Sequence, residues 1–255
     1  MGVIGAGSMG QNHARLYAGL AELTGICDTD PSVGKPVAEQ FGTSFFPSHE
    51  ALLDAGVEAV SIATPTNQHF DVARDTLERG VHALVEKPLG GEVEQAERLA
   101  QLAEDQGVVL AAGMVERHNP AVEFAQDALQ KGTYGNLIAV SARRVSSFPT
   151  RVRDVGVMMD LGIHDVDVLR FLVGEEVERV YSVAGRERHE DFEDHATALL
   201  SFRRGVTGTV EVNWLTPMKV RRVALTALKN FVEVDYINQT LDISSSSLPT
   251  YDPSN

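Results

Sequence analysis

Val3-Ile4-Gly5-Ala6-Gly7-Ser8-Met9-Gly10 decides the fold. A short apolar strand, Met1 to Gly5, runs into glycines spaced Gly5-x-Gly7-x-x-Gly10, and residues Met9 to Leu20 then carry helical periodicity. A second apolar run, Leu23 to Cys27, ends in Asp28. Strand, glycine turn, helix, strand and acidic residue make up the context that a dinucleotide fingerprint requires. There Gly5 allows a tight turn, Gly7 lets a pyrophosphate approach the backbone, and Gly10 permits close helix–sheet packing. The helix N-terminus, with Ser8 and Met9 in its first turn, faces the phosphates. Asp28 can accept hydrogen bonds from both adenosine ribose hydroxyls and would repel a 2′-phosphate. Thr29 follows it rather than Arg, so the expected cofactor is NAD in preference to NADP.

Downstream, strands and helices keep alternating. Pro31 to Phe41 reads as a helix stopped at Gly42, Ser48 can cap a helix through Ala55, and Ala59 to Ala63 is the next strand. Thr64-Pro65-Thr66-Asn67-Gln68-His69 reads as a loop before a helix from Phe70 to Arg79. The apolar run Val81 to Val85 then breaks at Glu86-Lys87-Pro88, because Pro88 has no N–H for a sheet and disfavours helix at Lys87. The break puts Glu86 and Lys87 at the carboxyl end of a strand, where open α/β sheets hold their ligands. Helix Val93 to Gln106 and strand Val108 to Ala112 complete a doubly wound parallel sheet of Rossmann type over residues 1–113.

The pattern changes after Gly113. Pro120 to Lys131 is a helix, Leu137 to Arg144 a strand, Val145 to Val155 an irregular loop, and Val157 to Val173 a helix closed by Gly174. Apolar runs between Val177 and Ile243 read as successive antiparallel strands with hairpin-sized connections. The expectation is an α+β domain over residues 114–243 with an open, mainly antiparallel sheet, then a loose polar tail, 244–255. Helices cover one face of such a sheet and the other needs cover, which predicts a homodimer or homotetramer. Leu199, Val210, Val212 and Trp214 are candidates for the open face, though alternation alone does not say which side is which.

A net charge of -14 argues against a generic nucleic-acid surface and against anionic membrane. Lys35, Lys87, Lys131, Lys219 and Lys229 are the only lysines among 22 basic residues, a bias that fits either a high-salt habitat or a GC-rich genome. Cys27 is the single cysteine, so no disulfide framework or thiolate metal cluster is expected. No apolar run is long enough to cross a bilayer and no secretory leader precedes the first strand, so the expected location is the cytoplasm.

Within the helix-like stretch after Val157, Asp160 and His164 are four apart and share a face, with Asp167 near the same stripe. Two or three hard ligands without further clustering make a poor metal site, and none is expected. Apolar neighbours suggest that the helix is largely buried, and a buried Asp–His pair usually has a task.

Four linked motifs now stand in order: Gly5-x-Gly7-x-x-Gly10, Thr64-Pro65-x-x-x-His69, Glu86-Lys87-Pro88 and Asp160-x-x-x-His164. In these the chain resembles the Gfo/Idh/MocA oxidoreductases along nearly its whole length. The resemblance implies a Rossmann domain followed by an open antiparallel sheet, and reversible oxidation of a sugar or polyol hydroxyl with Lys87, Asp160 and His164 as the catalytic set. It also implies cofactor contacts from Thr64, Pro65, Asn67, His69, Glu86 and Lys87. Such proteins usually continue past the sheet into a further helix, so a shortened C-terminus is expected here.

Val115-Glu116-Arg117-His118-Asn119-Pro120, and Arg143-Arg144 through Arg151-Val152-Arg153, resemble those members that oxidise the 3-hydroxyl of UDP-N-acetylglucosamine. In so acidic a chain, four arginines within eleven residues form a local cationic patch, and arginine grips phosphate oxygens bidentately. The substrate candidates are Lys87, Arg117, Asn119, Arg144, Arg151, Arg153, Asp160 and His164. His164 suits general acid/base work, Asp160 would orient or charge-balance it, and Lys87 as ammonium would stabilise negative charge on the reacting oxygen. Sequence does not decide whether Lys87 and His164 exchange roles. A free polyol or monosaccharide dehydrogenase would not need the arginine loop, and a non-catalytic NAD-binding sensor would need only the first domain.

Overall fold

Strands of three or four residues build the first sheet, and burial of its central strands sustains it. They are β1 (Gly2–Ile4), β2 (Gly25–Cys27), β3 (Ser44–Phe46), β4 (Ala59–Ile62), β5 (His82–Val85) and β6 (Leu110–Ala112). Their order is β3-β2-β1-β4-β5-β6, with every pairing parallel. The computed structural model describes residues 1–149 and 155–245, and the chain divides into two units, Met1–Gly113 and Met114–Asn255.

Helices α1 (Ser8–Leu20), α2 (Pro31–Gln40), α3 (His49–Asp54), α4 (Thr66–Glu78) and α5 (Val93–Gln106) connect these strands. Local chemistry fixes their ends. Asp30 accepts from the Ser32 N–H with Pro31 in the first turn, Ser48 accepts from the Ala51 N–H, and Gly107 closes α5 in the left-handed conformation. Two apolar clusters flank the sheet. One gathers Ile4, Ile62, Leu77, Val85 and Leu99, the other Val3, Ala14, Ile26 and Val37. Strand order reverses between β1 and β4, and such a switch point opens a crevice at the strands' carboxyl ends.

The second unit carries a seven-stranded sheet: β7 (Leu137–Val145), β8 (Val177–Gly185), β9 (His195–Phe202), β10 (Thr207–Asn213), β11 (Val220–Ala227), β12 (Asn230–Asp235) and β13 (Thr240–Ser245). Its order is β13-β12-β11-β7-β10-β9-β8, antiparallel except for β7 beside β10. Helix α6 (Pro120–Gln130) and helix α7 (Ile163–Val173) supply Val122, Ala125, Val168 and Leu169 to one core with the inner face of the sheet. A π-helical turn, Met158–Gly162, leads into α7, and Gly174 ends it with φ +69°.

The structure settles the two faces. Val210, Val212 and Trp214 are buried in the core, while Leu199 is 51% exposed on the opposite face, so three of the four open-face candidates are corrected. Val210 pairs with Ala198 on the inner face, and Leu199 with Thr209 on the outer one. Ser244 and Ser245 pair with Phe231 and Asn230 instead of starting the tail, and residues 246–255 lie outside the described residues. Among the described residues no helix is long and apolar enough to cross a membrane.

Candidate active site

In the first unit the glycine turn closes at the carboxyl end of β1. Gly5 has φ +93°, and a Cβ there would stand 2.6 Å from the Ala63 carbonyl oxygen. At Gly10 a Cβ would lie 1.7 Å from the Gly5 oxygen, so α1 can start this close to the sheet only with glycine. Gly7 faces open space. The N-cap of α1 has no side-chain hydrogen bond and its first turn no acidic residue, which leaves its N–H groups disposed toward an anion.

Asp28 is held rather than loose. Its Oδ2 accepts from the Ala6 N–H at 2.8 Å and its Oδ1 from the Asp30 N–H at 2.9 Å, which ties the acidic residue to the glycine turn. A cavity of about 410 Å³ lies alongside, lined by Gly5, Gly7, Asp28, Thr29, Thr64 and Pro65 among others. The Thr64 hydroxyl is buried without a hydrogen-bond partner among the described residues. Cradle, fixed carboxylate, bare helix N-terminus and orphaned hydroxyl fit a dinucleotide. Cys27 also lines the cavity; burial pushes its thiol up to about 12, so it stays protonated.

Two motif residues prove to be braces. His69 is buried, with Nδ1 2.7 Å from the Pro88 carbonyl oxygen and Nε2 2.9 Å from that of Thr64. It therefore sits between the loop after β4 and the loop after β5, donating to one or the other carbonyl according to its tautomer. Glu86 accepts at 2.8 Å from His13 Nε2, His13 Nδ1 meets Ser61 Oγ at 3.2 Å, and Ser61 Oγ meets the Tyr17 hydroxyl at 2.5 Å. This chain runs from α1 to the residue before Lys87. Sequence reading missed His13 and Tyr17; their spacing of four on the sheet-facing side of α1 was the available signal. Ser8, Met9 and Asn67 are exposed, and Lys87 is partly buried.

In the second unit Asp160 is buried within the π-helical turn and His164 is partly buried in the first turn of α7. The neighbouring acids of α7 anchor arginines. Arg117 forks onto Asp167 at 2.7 and 2.6 Å, and this bond holds the guanidinium above its ordinary pKa. Arg144, 1% exposed, binds both oxygens of Asp165 at 2.9 and 3.0 Å and Glu116 Oε1 at 2.8 Å, over the Tyr236 ring. Burial pulls Arg144 down, and Asp165 with Glu116 more than offsets this, so it stands above its ordinary pKa.

Asn119 caps α6 by accepting from the Ala121 N–H and donates to the Tyr236 carbonyl. Arg144 and Asn119, offered by sequence as substrate contacts, thus have internal partners, as do Nε and Nη2 of Arg117. Arg143 pairs with Glu211 at 3.0 Å. Arg151 and Arg153 lie outside the described residues. His49, Glu50 and Asp75 form one His–acid group, in which Arg74 already engages Asp75.

A doubly wound sheet with this glycine turn and fixed acidic residue defines a dinucleotide-binding domain. Residues 1–114 match the oxidoreductase family with an NAD-binding Rossmann fold, and residues 122–229 match the GFO/IDH/MocA C-terminal domain. The chain belongs to the Gfo/Idh/MocA family.

It is 36% identical over 242 residues to UDP-N-acetylglucosamine 3-dehydrogenase of Acidithiobacillus ferrooxidans, spanning 95% of this chain and 75% of that enzyme. A solved structure of that dehydrogenase aligns with a TM-score of 0.88 at 34% identity, covering 98% of this chain and 79% of the other. The WlbA dehydrogenase from Bordetella pertussis, solved with NADH and UDP-GlcNAcA, gives a TM-score of 0.89 at 27% identity, covering 98% and 78%. Scyllo-inositol 2-dehydrogenase (NAD(+)) of Bacillus subtilis is 30% identical over 231 residues, 84% of this chain and 67% of that enzyme.

Proposed function

We propose that this protein is an NAD-linked dehydrogenase of a sugar hydroxyl carbon, acting on C3 of a UDP-N-acetylhexosamine. The similarity along 95% of the chain to an enzyme named for that reaction carries the reading. Residues 1–113 serve NAD binding and residues 114–243 serve the substrate and assembly. Bound nicotinamide supplies the hydride acceptor. Lys87, as ammonium, donates a hydrogen bond to the reacting oxygen and stabilises the charge that develops there. His164 takes the hydroxyl proton, and Asp160 orients His164. A second reading, oxidation of a free inositol-type polyol, has the Bacillus subtilis relative in its favour. NAD reduction measured with UDP-N-acetylglucosamine against free sugars and inositols tests the choice. The UDP-sugar should have the higher kcat/KM, and an equal or better inositol would reverse the order.

Asp28 is proposed to hold the adenosine ribose. In support, its carboxylate is fixed by backbone N–H groups and lines the cavity beside the glycine turn, and a carboxylate holding the ribose would repel a 2′-phosphate. Asp28→Ala should narrow the NAD over NADP preference roughly ten-fold or more in kcat/KM, as loss of a charge-assisted bond does. An unchanged cofactor ratio would assign Asp28 to the turn alone.

A homo-oligomer through the open sheet face is also proposed. Tyr181 and Leu199 are directly paired there and are 71% and 51% exposed, and Arg222 pairs with Glu233 and Asp235 on the same sheet. An apolar patch with charges of both signs farther along the same sheet suits a self-complementary twofold contact. Sedimentation at physiological and at high salt should give a dimer or tetramer, and a monomer in both would refute it.

A further inference from the structure

Among the described arginines around α7, Arg117, Arg144 and Arg170 are each forked onto a carboxylate, and Arg221 is not. It lies on β11 directly opposite Arg144 of β7, so the two guanidinium groups share the face that carries Val223 and Leu225 into the core. Arg144 takes both oxygens of Asp165 and comes within 2.8 Å of Glu116 Oε1. Arg221 reaches only that same Glu116 oxygen, at 4.0 Å, its one ion pair among the described residues, and its side chain is 32% exposed. Burial and the like charge of Arg144 pull Arg221 below its ordinary pKa, against the attraction of Glu116, Asp165 and Asp160. A half-solvated guanidinium in this position gains from an incoming oxyanion, whereas Arg117 and Arg144 are already forked.

We infer that Arg221 is the anion-recognition residue of the substrate site in the second unit. It would receive an oxyanion of the sugar substrate, a phosphate oxygen of a nucleotide sugar or the carboxylate of a sugar acid, close enough to Asp160 of the π-helical turn to feel its charge. This deepens the sugar-dehydrogenase reading and rests on it. Sequence inspection passed over Arg221 because it sits in an ordinary strand, away from the arginine-rich loop.

The test compares wild type with Arg221→Met and Arg221→Lys, each checked by thermal melt. The ligands are UDP-N-acetylglucosamine, UDP and N-acetylglucosamine, followed by titration calorimetry and by NAD reduction. Arg221→Met should weaken UDP-sugar and UDP about ten- to a hundred-fold, as loss of a charge-assisted phosphate contact does, while NAD and the neutral sugar change less than about two-fold. Arg221→Lys should recover part of the loss, since lysine keeps the charge without the fork. An equal loss with the neutral sugar would show a structural role and overturn the assignment, as would unchanged UDP binding.

If wild type binds neither UDP ligand, the nucleotide-sugar reading fails separately. Arg221 is then tested with glucuronate against glucose: a preference for the acid that Arg221→Met abolishes sustains the inference, and an unchanged ratio ends it. Should Arg221→Met melt early, the Arg221→Lys comparison carries the same decision.

Discussion

Lys87→Ala is expected to lower kcat by about 10²–10⁴-fold while leaving the fold and NAD affinity nearly intact. The range is what a positioned proton donor or a charge-stabilising group contributes. The substitution acts on a site braced from two sides. Pro88, the next residue, has its carbonyl held by His69, and Glu86, the residue before, is held by His13. Alanine therefore removes the ammonium from a loop that keeps both anchors, and the loss should fall on kcat more than on KM. Lys87→Arg keeps the charge but changes its shape and should recover little. If Lys87→Ala turned over at a tenth of the wild-type rate or faster, the lysine would be outside the chemistry.

The second large effect is on stability. Asp165→Leu should destabilise the second unit by roughly 3–5 kcal/mol, because it leaves Arg144 buried with a single remaining acidic partner. Asp165 is fully buried and Arg144 nearly so, which makes solvent rescue negligible. In calorimetry the melting of that unit should fall by about 10 °C or more. Arg144→Met together with Asp165→Leu should be much closer to wild type than the single change, since replacing a whole buried pair by apolar groups is often neutral. Equal melting of single and double variants would mean that the fork is not what holds α7 to β7.

Much of this was legible in the chain itself. The glycine turn, the acidic end of β2 and the break at Glu86-Lys87-Pro88 are local signals, because each follows from what a residue cannot do. Helix α5 runs from Val93 to Gln106 as its periodicity predicts. By contrast β3 is three residues with no fully buried position, too short to stand out from its surroundings. Helix α4 starts at Thr66, four residues before the predicted helix, because a first turn needs no N–H acceptors and tolerates polar residues after Pro65.

The parallel pairing of β7 with β10 is a matter of topology, and no local pattern encodes it. The site was half legible for a related reason. Of the arginines read as a patch along the chain, the two described ones are paired with acids that only the fold brings near: Glu211 for Arg143, and Asp165 with Glu116 for Arg144. Likewise His69 and Glu86 belong to motifs, but their partners at Pro88 and His13, which make them braces of the loop, become visible only in the fold.

The most direct measurement follows the hydrogen itself. UDP-N-acetylglucosamine deuterated at C3 is incubated with this protein and NAD, and the NADH formed is analysed by mass. The NADH should carry one deuterium from the sugar, and its formation should be about 10²–10⁴-fold slower in Lys87→Ala. No NADH from this substrate, or NADH without the label, would contradict oxidation at that carbon.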